Sequence, residues 1–195
     1  MRFNLVVILI LISSISAFPY SKYELYCNYD LLQLSGEIAI SQNGTLENGR
    51  NIGDIYKYLK IFSAAPGTPY CAAGIYWTFF VASQRLSLPQ DSIPIPKTMV
   101  ANDIYRFARI NGIKKPYKAN INDLIVWRRK SSYRGHIERV IKVGEKGNIT
   151  TIAFNTNSII NGRKVEGVFI KKRNIYHPLS NLAIRGLIGF RTNNA

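Results

Sequence analysis

A change of hydrophobic period near Gly112 most limits what this chain can fold into. Before it, apolar residues recur at helical spacing. "NGRNIGDIYKYLKIF" carries Ile52, Ile55, Tyr56, Leu59 and Phe62 three and four apart, the stripe of an amphipathic helix. "SAAPGTP" stops that helix and provides a loop. "CAAGIYWTFFVASQ", residues 71–84, is apolar nearly all round, which predicts a helix buried in the core. "SLPQDSIPIPK" is a proline-rich connection, and "TMVANDIYRFARING" reads as a short helix ended by Gly112. After it, "DLIVWRR", "GHIERVIKVG", "NITTIAFNT", "VEGVFIKKR" and "LIGFRT" are short β-branched or aromatic runs separated by turn residues. Helices first and strands afterwards predict an α+β domain, its helices packed on a mostly antiparallel sheet of five or six strands. Residues 18–45 are tyrosine-rich and turn-rich, ending at the turn signal Asn43-Gly44.

The first residues bear on compartment. Arg2, an apolar run over residues 5–12 and small residues up to Ala17 have the form of a cleaved secretory signal, residues 1–17. The run is well short of the roughly 20 residues that span a bilayer. The mature protein is therefore expected to be secreted or periplasmic, without a transmembrane segment. Residues 18–47 are taken as an N-terminal extension and 48–195 as the functional domain. With 47% apolar residues, that domain can bury a substantial core. The formal charge of +15 attracts polyanions, which outside the cytoplasm include cell-wall peptides, wall polymers and lipopolysaccharide. Aromatic residues sit within apolar runs and do not interleave with the basic ones, so no nucleic-acid partner is expected.

Cys71 follows a loop and opens a predicted helix, where the dipole and unpaired backbone N–H groups favour thiolate. A thiolate nucleophile needs a neighbouring base and a group that orients it. Of two histidines, His136 stands at a strand start beside Gly135, able to face a cleft, whereas His177 sits in a loop before a proline. His136 is the better partner. On the residues alone, Cys71 could equally be an inert core residue or half of a Cys27–Cys71 disulfide. Two cysteines and two histidines have no chelating spacing, so no metal or cofactor is expected.

"GTPYCAAGIYW" resembles the "G-x-P-W/Y-C-A-A-F-V-x-W" segment of CHAP-type cysteine amidases and peptidases, relatives of the NlpC/P60 cell-wall hydrolases with a papain-like core. "SIPIPKT" is similar to the family's linker after the nucleophile helix, "KANINDLIVW" to its "P-G-D-I-x-x-W/F", and "RGHIERVI" to its "G-H-x-G-I-V". "ITTIAFNTN" and the residues after it resemble the "T-I-E-G-N-T" tail, and the likeness covers roughly residues 48–175. It implies Cys71 as nucleophile, His136 as base and Asn155 as the group orienting the ring, with Asp123, Glu138 and Tyr70 as auxiliary candidates. The implied activity is hydrolysis of amide bonds in peptidoglycan by a monomer. Ala153 stands where the family carries an acid, and Glu138 replaces a glycine two residues beyond His136. A silent wall-binding module on the same fold, or a basic secreted protein binding lipopolysaccharide or nucleic acid, are the competing expectations.

Overall fold

Asn28 starts the first helix by accepting the Leu31 N–H on its side chain (3.0 Å). That helix, α1 (Tyr29–Ser41), follows strand β1 (Lys22–Tyr26). The computed structural model describes residues 20–130 and 132–193, so the signal proposed for residues 1–17 lies outside the described residues. The chain continues through α2 (Tyr56–Lys60), α3 (Cys71–Arg85), a 3-10 turn, α4 (Ala101–Asn111) and β2 (Ile113–Lys115). It ends in β3 (Leu124–Arg128), β4 (Gly135–Val143), β5 (Asn148–Ile160), β6 (Arg163–Asn174) and β7 (Ala183–Arg191).

The fold is α+β. One seven-stranded sheet runs in the order β2-β1-β7-β3-β4-β5-β6. Only β1 and β7 pair in parallel; the remaining neighbours are antiparallel. The last five strands fall on the five runs read from sequence. The sixth and seventh, β1 and β2, were not legible there, so the sheet is larger than the five or six strands expected. Within residues 18–47, read as an N-terminal extension, β1 joins the sheet and α1 packs on α3. The helix expected over residues 48–62 shrinks to α2, because Gly49, Asn51 and Gly53 all take positive φ and turn the chain.

Helix α3 is buried along its length, as an all-apolar surface requires. It lies with the other helices against one sheet face, where Leu124, Val126, Ile137, Ile152, Phe154, Val168 and Ile188 form the main core. A smaller cluster around Ile125, Trp127, Val140, Ile149 and Leu187 covers the other face. The contact between α3 and β5 is closest at Gly74, one turn after Cys71. A Cβ there would fall 2.2 Å from the Phe154 ring. Phe154 also meets Tyr58 edge-to-face at 5.1 Å, so the ring has little room to retreat. Among the described residues no helix is long and apolar enough to cross a membrane.

Gly74→Ala is expected to destabilise the fold by about 1–3 kcal/mol through overpacking, measured as a lower urea midpoint. An unchanged midpoint would mean that α3 can lift from β5 without loss.

Candidate active site

The start of α3 has no capping side chain of its own. Tyr70, its N-cap, turns its ring into the core, stacks on Tyr58 (5.6 Å between centroids) and donates its hydroxyl to Glu47 Oε1 at 2.8 Å. The missing cap comes from β5. Asn155 Oδ1 accepts the Tyr70 N–H at 3.3 Å, and Asn155 Nδ2 donates to Asn51 Oδ1 at 2.7 Å. Asn155 can do this because it sits at φ 56° in an irregularity of the β5–β6 pairing, between Ala153 and Thr156. Cys71 is the first residue of α3, so its N–H precedes the first intrahelical bond, Gly74 N to Tyr70 O (2.8 Å). It is buried, with 7% of its surface exposed.

His136, with a side chain 12% exposed, is the second residue of β4. Gly135 beside it is required by close packing: a Cβ would meet the Trp127 carbonyl at 2.5 Å. Nε2 of His136 lies 3.1 Å from Glu138 Oε1. The Cys71 thiol lies close enough to the ring to raise the His136 pKa, and Nδ1 is the ring nitrogen that Glu138 leaves free. Glu138 is fully buried and its carboxylate is saturated. Thr151 Oγ1 donates to Oε2 at 2.6 Å, Arg173 Nε donates to both oxygens at 3.0 and 3.1 Å, and Arg173 Nη2 donates to Oε1 at 2.8 Å. Cys71, His136, Glu138 and Arg173 form one continuous chain of contacts.

The charges follow from that chain. Burial disfavours the imidazolium of His136, but the bonds to Cys71 and Glu138 outweigh it and hold the ring above its ordinary value. Burial likewise opposes the Glu138 carboxylate, and His136 and Arg173 override it, bringing the acid down to about 2. The site therefore favours a protonated imidazole beside the thiol.

Three expectations change. Asn155 was expected to orient His136; it caps α3 instead, and Glu138 holds the ring. Asp123 accepts from Lys22 Nζ and the Asn120 N–H, both at 2.8 Å, so it closes the turn before β3 rather than facing Cys71; burial raises it to about 6 against the pull of Lys22. Cys27 and Cys71 are both free thiols, which removes the disulfide alternative, and burial pushes Cys27 up to about 12. Tyr70 belongs to the site through its backbone alone. His177 is exposed, and its carbonyl accepts from Trp127 Nε1 at 3.3 Å. Arg173 and Thr151 fall within the tail that resembles the family but were given no role, because their link to the site depends on strand pairing across β4, β5 and β6.

Cys71 opens onto a cleft of about 580 Å³, walled by Pro69, by residues 99–101 at the start of α4 and by residues 133–135 before His136. Comparisons with protein-family models, with curated proteins and with solved structures found no match.

Glu138→Gln should lower the titration midpoint of His136 seen by NMR, whereas Asn155→Ala should leave it in place and cost about 1–2 kcal/mol of stability as a lost cap. The His136 contribution to stability is complete below the ordinary imidazole value near ~6.5 and fades as pH rises towards the higher folded value. The Glu138 contribution is complete above its ordinary value near ~4.3 and fades as pH falls towards about 2. The gap in thermal midpoint between wild type and Glu138→Gln should therefore be widest between pH ~4.3 and ~6.5. A gap that grows above that window would contradict the assigned pair.

Proposed function

We propose that the protein is a secreted or periplasmic cysteine hydrolase that cuts amide bonds in peptidoglycan. The bond is either muramoyl–alanine or one within the stem peptide, and the scaffold is a CHAP-like, papain-like core. The observation that carries this reading is the Cys71–His136–Glu138 chain at the start of a buried helix, opening on a cleft. Nucleophile, base and orienting acid stand in the order that thiol acyl transfer requires. With the thiol proton already resident on His136, Cys71 Sγ attacks the amide carbonyl as a thiolate, and the oxyanion is received by backbone N–H groups of the first turn of α3. The tetrahedral adduct collapses as His136 gives that proton to the leaving amine. Water then attacks the thioester, with His136 taking its proton, and frees the acid and the thiol. Glu138 keeps the imidazole in one orientation throughout.

Ala153 had favoured a silent module, because the family carries an acid there. Glu138 and Ala153 are Cα partners across β4 and β5, so Glu138 supplies a carboxylate from the facing position. A formal charge of +15 also suits a substrate embedded in an anionic wall.

Cys71→Ala should reduce release of muropeptides or free amines from purified sacculi by roughly 10³-fold or more, read by mass spectrometry. Undiminished release would remove Cys71 as nucleophile. Cosedimentation of the wild type with wall material and no release would leave a binding module in place of the enzyme.

A further inference from the structure

The cleft beside Cys71 has two unlike walls. Pro69, Met99, Val100 and Ala101 present apolar surface, while Tyr133 and Arg134 line the same cleft with polar groups. Arg134 stands two residues before His136, so its backbone is continuous with the site. The rim is held in place rather than left to float. Asn102, on α4 next to the apolar wall, donates its amide to the Tyr133 carbonyl at 2.9 Å and to the Arg134 carbonyl at 3.3 Å. Arg129 N also donates to the Arg134 carbonyl (3.0 Å), and Arg134 N donates to Ser132 Oγ (3.1 Å). Gly135 completes the clamp, since a Cβ there would lie 2.8 Å from Asn102 Nδ2.

The stretch of chain that forms this rim carries no acid. Between Asp123 and Glu138 the sequence carries Arg128, Arg129, Lys130 and Arg134 and no Asp or Glu. Glu138 itself is buried and saturated by His136, Thr151 and Arg173. Among the described residues, no ion pair engages Arg134. A planar guanidinium at the rim of a cleft that ends on a nucleophile matches a planar carboxylate on the molecule in that cleft.

We propose that Arg134 is a specificity-determining residue that binds a free carboxylate lying next to the scissile amide. The preferred substrate is then an acidic peptide amide with a small apolar group against residues 99–101. This rests on the proposed amide hydrolysis for what happens to the bound molecule, but carboxylate recognition can be measured without it.

The test is calorimetry with the full chain carrying Cys71→Ala, which binds without turnover. The probes are N-acetylmuramyl-L-alanyl-D-glutamate and its α-amide, the isoglutamine form, which differ by one carboxylate. The acid should bind roughly tenfold more tightly than the amide. Arg134→Gln in the same background should bring the acid to the level of the amide, and Arg134→Lys should retain part of the preference. Equal affinity for the two probes, or binding of neither, overturns the proposal. A loss of the same size from Lys142→Gln, near the far end of β4, overturns it too, because the preference would then belong to net charge. Wild-type failure to cleave sacculi, with the carboxylate preference intact, would overturn the hydrolase reading alone.

Discussion

Arg139 is a fully buried guanidinium, and the sheet and the helices meet around it. Its Nε donates to Asn122 Oδ1 at 3.1 Å, Nη1 to Ser35 Oγ at 2.9 Å and Nη2 to the Leu32 carbonyl at 2.7 Å. Its plane lies over the Phe79 ring at 4.9 Å. Burying a cation costs several kcal/mol unless its donors are satisfied. Here the partners come from α1, from the turn before β3 and from α3, so Arg139 is tolerated only when all three have assembled. Burial draws its pKa down, yet an arginine remains charged at neutral pH. Neighbouring oddities serve this one group. Asn122 takes φ 73°, and Gly36 is a glycine because a Cβ would sit 2.7 Å from Asn122 Oδ1.

That anchor also orders the site. Period-two alternation turns Arg139 and Ile137 to the helix-facing side of β4 and Glu138 to the other. Once Arg139 fixes the strand against α1 and α3, the plane of His136 and Glu138 is fixed as well. Thr151 and Arg173 then meet Glu138 through the pairing of β4 with β5 and of β5 with β6. His136 and Glu138 are thus held between Arg139, which has only neutral partners, and Arg173, which the Glu138 carboxylate neutralises.

Much of this was legible in the residues, because the signals were local. The apolar surface of α3, the Gly112 stop and the five late strands each follow from spacing within a dozen residues. Cys71 and His136 were singled out by residue type and position, and the fold brings the two side chains together. What escaped depended on partners far along the chain. Helix α1 was hidden by Gly36, which looks like a turn and is a packing requirement of Arg139. Strand β1 reads as loop because its pairing partner, β7, lies at the other end of the chain. Asn155 was assigned by resemblance to orienting His136, whereas its amide engages the Tyr70 N–H and Asn51. Glu138 was visible as a same-face neighbour of His136, but its weight came from Arg173, which no spacing rule connects to it.

The scarcity of acids sharpens the role of that carboxylate. With 26 lysines and arginines against 11 acids, the surface field disfavours any additional cation, an imidazolium included. Several acids are committed to architecture: Asp123 to Lys22, and Glu47 to the Tyr70 hydroxyl and the Asn51 N–H. Surface repulsion is screened by salt within about 10 Å, whereas a buried contact is screened far less. Burial opposes the His136 imidazolium, yet Cys71 and the fully buried Glu138 at 3.1 Å together hold the ring above its ordinary value despite the cationic exterior. An exposed acid at the same sequence spacing would be screened like the field it opposes. Burial is what keeps the contact between that carboxylate and His136 from being screened in so basic a protein.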